Sequence, residues 1–257
     1  MSRARWVRRE LGPILAGVVG LIVVWALVAA VASPDTVPSP LAVWRAFVHG
    51  VSDGTITDAA LKTLIRLAFS FVVAIAIGTA IGFGLALNEF ARRSIRPLIV
   101  ALQIVPPIAW FPLAIIWFGF SERAVVFVAV VGAFPSVTLA TMSSFRQVSP
   151  LFVRAGKTLG AEGWELYRRV IFPAALPGYV AGLQQAWGFA WKALLAGELL
   201  TGAARAAGLG QLLANSQNDV PALLAALAVV VLIGVAVDYL VFGQLDRSVR
   251  RRRGLLA

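Results

Sequence analysis

An all-α integral membrane fold with six transmembrane helices and both termini on the cytoplasmic side is predicted by three features of this sequence. Of its 257 residues, 60% are apolar and only 14% charged, a composition suited to lipid rather than water. Six apolar segments are long enough to cross about 30 Å of hydrocarbon at about 1.5 Å per helical residue. Arg and Lys gather in alternate connections, which sets the orientation because cytoplasmic loops retain them.

The first segment, 14–32, follows Arg3, Arg5, Arg8 and Arg9. Ala30-Val31-Ala32 imitates a secretory cleavage site, but the apolar run is too long for a signal peptide and is read as a retained span. Pro34, Pro38 and Pro40 open an outer stretch in which Leu41, Val43, Trp44, Phe47 and Val48 are spaced as one face of a short amphipathic helix. Further spans are expected at 64–87, 98–118, 124–142, 174–199 and 222–242. On one side lie the N-terminal arginines, Arg92, Arg93 and Arg96, then Arg146, Arg154, Lys157, Arg168 and Arg169, then Arg247 and Arg250 to Arg253. The other side is left with Arg45, Lys62, Arg123 and Arg205, so both termini are cytoplasmic. Three regions follow: 1–59, holding the N-terminal tail, first span and outer segment; a core of 60–243 with a cytoplasmic loop at 143–173; and a basic tail at 244–257.

Several chemistries are excluded. A net charge of +11 invites nucleic acid, yet the basic residues sit in short clusters between apolar runs instead of forming one continuous surface. The chain has no cysteine and a single histidine, His49, so it lacks a disulfide framework, a thiolate nucleophile and a histidine metal cluster. No catalytic constellation stands at membrane depth.

The loop at 143–173 is the most informative stretch. Ser149 is placed to cap a helix whose first residue is Pro150, where proline's missing N–H costs nothing. That helix should end near Leu159 and be broken by Gly160; a second piece from Ala161 to Val170 should be closed by Pro173. Small Ala155 and Gly156 beside apolar Phe152 and Leu159 suit docking in a partner's groove.

Arg154-Ala155-Gly156, then Gly160, then Val170-Ile171-Phe172-Pro173 stand at the spacing of the loop signature of binding-protein-dependent importer permeases. That signature reads Glu-Ala-Ala, three residues, Gly, nine residues, Ile, any residue, Leu-Pro; here Arg154, Gly156, Val170 and Phe172 depart from it. Pro38-Ser39-Pro40, Ile104-Val105-Pro106, Phe111-Pro112-Leu113, Trp117-Phe118-Gly119 and Gly208-Leu209-Gly210 narrow the likeness. The chain resembles the ABC importer permeases of type I fold, in the alkanesulfonate, taurine and nitrate group. The resemblance implies a homodimer in a bacterial cytoplasmic (inner) membrane, with two cytoplasmic ATPase subunits docked at Phe152, Arg154, Ala155, Gly156, Leu159, Gly160 and Ala161. It also implies an external solute-binding protein and import of a small solute, anionic and sulfonate-like, with nitrate, bicarbonate or a vitamin precursor as alternatives. ATP and Mg belong to the partner ATPase, and this chain is expected to hold no cofactor and no metal. Gly156-Lys157-Thr158 mimics the end of a phosphate-binding loop, but Leu151 stands where its first glycine would be. A secondary transporter or channel working without ATPase partners is the alternative class, disfavoured because no ionisable group falls near the midplane.

Polar and irregular positions at membrane depth mark a candidate path. Pro106 and Pro107 remove the helical partners of the Leu102 and Gln103 carbonyls. Gln103, Gln184 and Gln185 bring amides; Trp110, Trp187 and Trp191 bring rings that either line a path or fill helix contacts. Lys192 lies toward the outer mouth, where it attracts an anion, joins an ion pair with Glu198 or a neighbouring chain, or snorkels to the interface. Gly78/Gly82 and Gly178/Gly182 have the spacing of close helix contacts.

Overall fold

A computed structural model describes residues 3–33, 36–201 and 207–251, with the side chains of 3–11, 14, 15 and 250 outside the described set. Pro34, Arg205, Arg252 and Arg253, and the side chains of Arg3, Arg5, Arg8, Arg9 and Arg250, therefore lie outside the described residues. Helix α1 (Arg3–Val31) is followed by α2 (Pro40–Ser52), α3 (Thr55–Leu87), α4 (Glu89–Ile104), α5 (Phe111–Phe118) and α6 (Glu122–Arg146). Then come α7 (Pro150–Thr158), the short α8 (Gly163–Leu166), α9 (Phe172–Leu200), α10 (Leu209–Asn215), α11 (Val220–Val237) and α12 (Gly243–Arg251).

Helix α6 forms the centre, with α3 on one side and α9 on the other. Val125, Val128, Ala129, Ala133, Val137, Thr138 and Thr141 along it are completely shielded. The glycine pairs explain how close the neighbours come. A Cβ on Gly78 would lie 2.6 Å from Val137 Cβ, and one on Gly82 would lie 2.5 Å from the Thr138 carbonyl oxygen. A Cβ on Gly182 would likewise strike Ala140 of α6. Without these side chains the backbones meet, and dispersion replaces the hydrophobic drive that lipid does not supply.

Among the described residues, α3, α6 and the run 220–249 are each long and apolar enough to cross a membrane. Helix α4 and residues 107–118 make a fourth candidate only as a pair bent by 98°. The single run expected at 98–118 is thus broken. Val105 and Pro106 are extended (ψ 122° and 134°), because each precedes a proline that excludes the helical region, and a 3₁₀ turn at Pro107–Trp110 restarts the chain. Residues 16–31 of α1 are apolar but shorter. Helix α1 touches the rest through Trp25, whose Nε1–H donates to the Pro38 carbonyl at 3.1 Å. The expected outer amphipathic helix is α2, capped by Ser39, with Val43 buried and Leu41, Trp44 and Val48 exposed.

Ion pairs tie the two ends of the bundle. At the end bearing α7, Glu89 accepts from Arg92, from Arg93 at 2.8 Å and from Arg146 of α6 at 3.2 Å. These hydrogen bonds, led by those of Arg92 and Arg93, hold the Glu89 carboxyl down to a pKa of about 2. At the opposite end Arg66 donates to both Glu198 and Glu122.

Candidate functional site

Three features are candidates for function: the α7 loop, the exposed face of α9, and the charged end opposite α7.

Ser149 caps α7, its Oγ accepting from the Leu151 N–H at 3.3 Å, and Pro150 occupies the first turn. The helix stops where Gly160 takes φ +85°, a left-handed conformation that side-chain-bearing residues rarely adopt. Phe152, Arg154, Ala155 and Leu159 are exposed and Ala161 is half-buried. Gly156 faces the other way: a Cβ there would lie 2.8 Å from Val170 Cγ2 and 2.9 Å from Leu166 Cδ1. It seats α7 on its own chain, so of the two small residues expected to suit docking, Ala155 is exposed and Gly156 is buried. The second helical piece begins at Gly163, not Ala161, and Pro173 does not close it. Between α8 and α9 a π turn at 167–171 lets the Phe172 N–H reach the Tyr167 carbonyl, a step of five residues. The wider turn relieves the clash a proline makes with the carbonyl four residues back, so the chain runs on into α9. Trp164 is 70% exposed and Leu159 87%, and the sequence carried no sign of the tryptophan's exposure.

Along α9, Gly178, Ala181, Gln185 and Lys192 are exposed at spacings of three, four and seven, with Gly188 half-buried between them. These steps keep all of them on one helix face. Lys192 makes no ion pair among the described residues; its Nζ lies 5.1 Å from the Phe189 ring centroid, a cation–π contact. A cleft of about 330 Å³ flanks this face, bounded by Gln184, Trp187, Trp191 and Lys192 on α9 and by Gly234 and Asp238 across from it. Gln184 Nε2 donates to Asp238 at 2.7 Å, and the buried Trp187 Nε1 has no hydrogen-bond partner among the described residues. The structure thus brings Gln184, Trp187, Trp191 and Lys192 together. Gln103, Pro107 and Trp110 are half-buried and Pro106 exposed on the broken segment, and none of them lines that cleft.

Glu198 has a different place. It is completely buried, accepting from Arg66, from the Thr63 hydroxyl at 2.9 Å and from the Gly210 N–H at 3.0 Å. Bound in this way it neither lines an open path nor reaches Lys192. The Thr63 hydroxyl oxygen also accepts from the Leu209 N–H at 2.8 Å, so α3, α9 and α10 share one polar knot. Arg66 escaped the sequence reading of charge, yet an arginine inside the apolar segment 64–87 is itself a signal at membrane depth. Among the described residues no three His, Asp or Glu side chains gather to hold a metal ion.

An apolar helical bundle packed through glycines, with several helices long and apolar enough to cross a membrane, has the architecture of an integral membrane protein. The family model described as "Binding-protein-dependent transport system inner membrane component" matches residues 74–251, and the chain belongs to that family as the permease subunit of an ABC importer. An ABC transporter permease protein of Methanocaldococcus jannaschii is 30% identical over 224 residues, 84% of this chain and 83% of that one. The taurine transport system permease protein of Escherichia coli is 29% identical over 70% of this chain and 68% of its own length. The nitrate import permease protein of Synechococcus elongatus is 27% identical over 78% and 77%. The solved inward-facing MetNI methionine ABC transporter shares the fold, with a TM-score of 0.66 at 18% identity over 76% of this chain and 95% of that one. The protein is therefore an integral inner-membrane component and not an enzyme, since in this family ATP hydrolysis belongs to a separate subunit.

Proposed function

We propose that two copies of this chain form the translocation path for a small anion, with the α9 faces bearing Gly178, Ala181, Gln185, Gly188 and Lys192 turned toward each other. The observation that carries this reading is Lys192 itself. It is an exposed cation without an ion-pair partner among the described residues, on one face of α9 with the exposed amide of Gln185. Intramembrane cations face a partner, a cavity or an ion path, because lipid penalises them. The named solutes of relatives, nitrate, bicarbonate and the zwitterion taurine with its sulfonate, all carry an anionic group, in agreement with such a cargo.

In this reading α1, α3, the bent α4–α5 pair, α6, α9 and α11 are six crossings with both termini on the α7 side. The arginines at 92, 93, 146, 168 and 169 all stand at that end, as cytoplasmic retention requires. Two ATPase subunits dock on Phe152, Arg154, Ala155 and Leu159, with Trp164 beside them, while Gly156 and Gly160 set the position of α7. A solute-binding protein delivers cargo at the opposite end, and ATP with Mg acts in the ATPase alone.

The test is ATP-dependent uptake of labelled taurine, nitrate and bicarbonate by the assembled importer. One of the three is carried, Lys192→Glu lowers its uptake at least tenfold, and Lys192→Arg retains most of it. Uptake unaffected by Lys192→Glu, or carriage of none of the three solutes, contradicts the reading.

A further inference from the structure

The end opposite α7 holds a second cleft, of about 670 Å³, lined by α3, α6 and the end of α5. Its chemistry is graded along the helix axes. Lys62 on α3 and Arg123 on α6 stand nearest the helix ends, with the Arg66–Glu122 pair beside them. Farther in, Ile65 and Phe69 follow Lys62 at steps of three and seven, and Phe127 follows Arg123 at four. Each helix therefore turns one face to the cleft, with its cation outward and its apolar side chains toward the bilayer interior. Arg66 is balanced by Glu198 and Glu122, whereas Lys62 and Arg123 are exposed and make no ion pair among the described residues. A free anion has no use for an apolar wall of this depth, and a hydrocarbon chain has no use for two unpaired cations. An amphiphile with an anionic head satisfies both.

We infer that this cleft binds one anionic phospholipid of the leaflet at that end, its phosphate between Lys62 and Arg123 and an acyl chain along Ile65, Phe69 and Phe127. Bound there, the head group lies against the Arg66–Glu122 bridge that joins α3 to α6 and steadies that end of the bundle.

Native mass spectrometry of the full-length permease, titrated with phosphatidylglycerol and with phosphatidylcholine, tests this directly. The natural protein retains one phosphatidylglycerol per chain in preference to phosphatidylcholine. Lys62→Ala/Arg123→Ala lowers that retention at least fivefold, and Arg168→Ala/Arg169→Ala at the other end leaves it intact. Ile65→Ser/Phe69→Ser, which keeps both cations, also loses the lipid. Equal retention by all variants overturns the inference. So does displacement of the lipid by equimolar glycerol phosphate, which would make the site one for a free phosphate. A shift in the monomer to dimer ratio with lipid retention unchanged would assign the cleft to a second copy and also overturn it.

Discussion

Arg66 and Glu198, 132 residues apart, form a buried ion pair joining α3 to α9, and the other terminal nitrogen of Arg66 extends the link to Glu122 of α6 at 2.9 Å. The three helices of the core are thus fastened at one end by a single guanidinium. Removing one member of a buried pair strands its partner's charge, at a cost of about 3–5 kcal/mol. Arg66→Met therefore lowers the thermal midpoint of the detergent-purified protein steeply. Arg66→Met/Glu198→Gln recovers much of the loss, because the amide still accepts the Gly210 N–H without a charge to strand. Equal midpoints for the single and double variants would show that Glu198 is not the group left unpaired.

A second prediction separates holding α7 in place from presenting it. Gly156→Val drives carbon into Val170 and Leu166, so α7 lifts from its seat, the loop becomes protease-sensitive and the ATPase subunit no longer co-purifies. Ala155→Glu, at an exposed position, also loses the ATPase but leaves protease resistance unchanged. Co-purification and limited proteolysis on the same preparations check both.

Close packing of α3 on α6 predicts opposite outcomes at two glycines two residues apart. Gly82→Val places carbon against the Thr138 carbonyl and lowers the thermal midpoint, with overpacking costing about 1–3 kcal/mol or more. Gly84 meets no atom within 4 Å, and Gly84→Ala is neutral or slightly stabilising, as expected for a helix-interior glycine in open space. Thermal unfolding of the two variants side by side decides the matter.

Glu89 adds a pH dependence. Its folded pKa, about 2, lies below its ordinary 4.5, so its contribution to stability is present above that ordinary value and is lost as pH falls toward about 2. The difference in thermal midpoint between the natural protein and Glu89→Gln should hold steady from pH 8 to pH 6. It should then shrink below pH 4.5.

Much of this architecture was legible in the sequence, for physical reasons that particular residues show. Ser149-Pro150 and Gly160 delimit α7 because capping and left-handed backbone are local matters, settled within a few residues. Gly78, Gly82 and Gly182 announce close helix contacts because only a missing side chain permits them. What the sequence could not specify is the direction in which a residue faces. Gly156 reads as part of a docking surface until Val170 and Leu166 are seen against it. Glu198 reads as a path residue until Arg66, supplied by another helix, is found to have claimed it. The 98° break at Pro106–Pro107 was visible as lost hydrogen bonds, but its angle depends on how the 3₁₀ turn at Pro107–Trp110 and α5 pack on α6. The π turn before Pro173 had no local signal beyond the proline it accommodates.

The most direct test of the central claim, that the exposed α9 face lines a watery path between two copies, uses the natural absence of cysteine. Gln185→Cys would be reacted in membranes with a charged, membrane-impermeant thiol reagent and, separately, with an apolar maleimide. A residue in the path reacts with the charged reagent, at a rate that changes when ATP and solute drive turnover. Reaction with the apolar reagent alone, at a rate indifferent to turnover, would place that face against lipid and contradict the account.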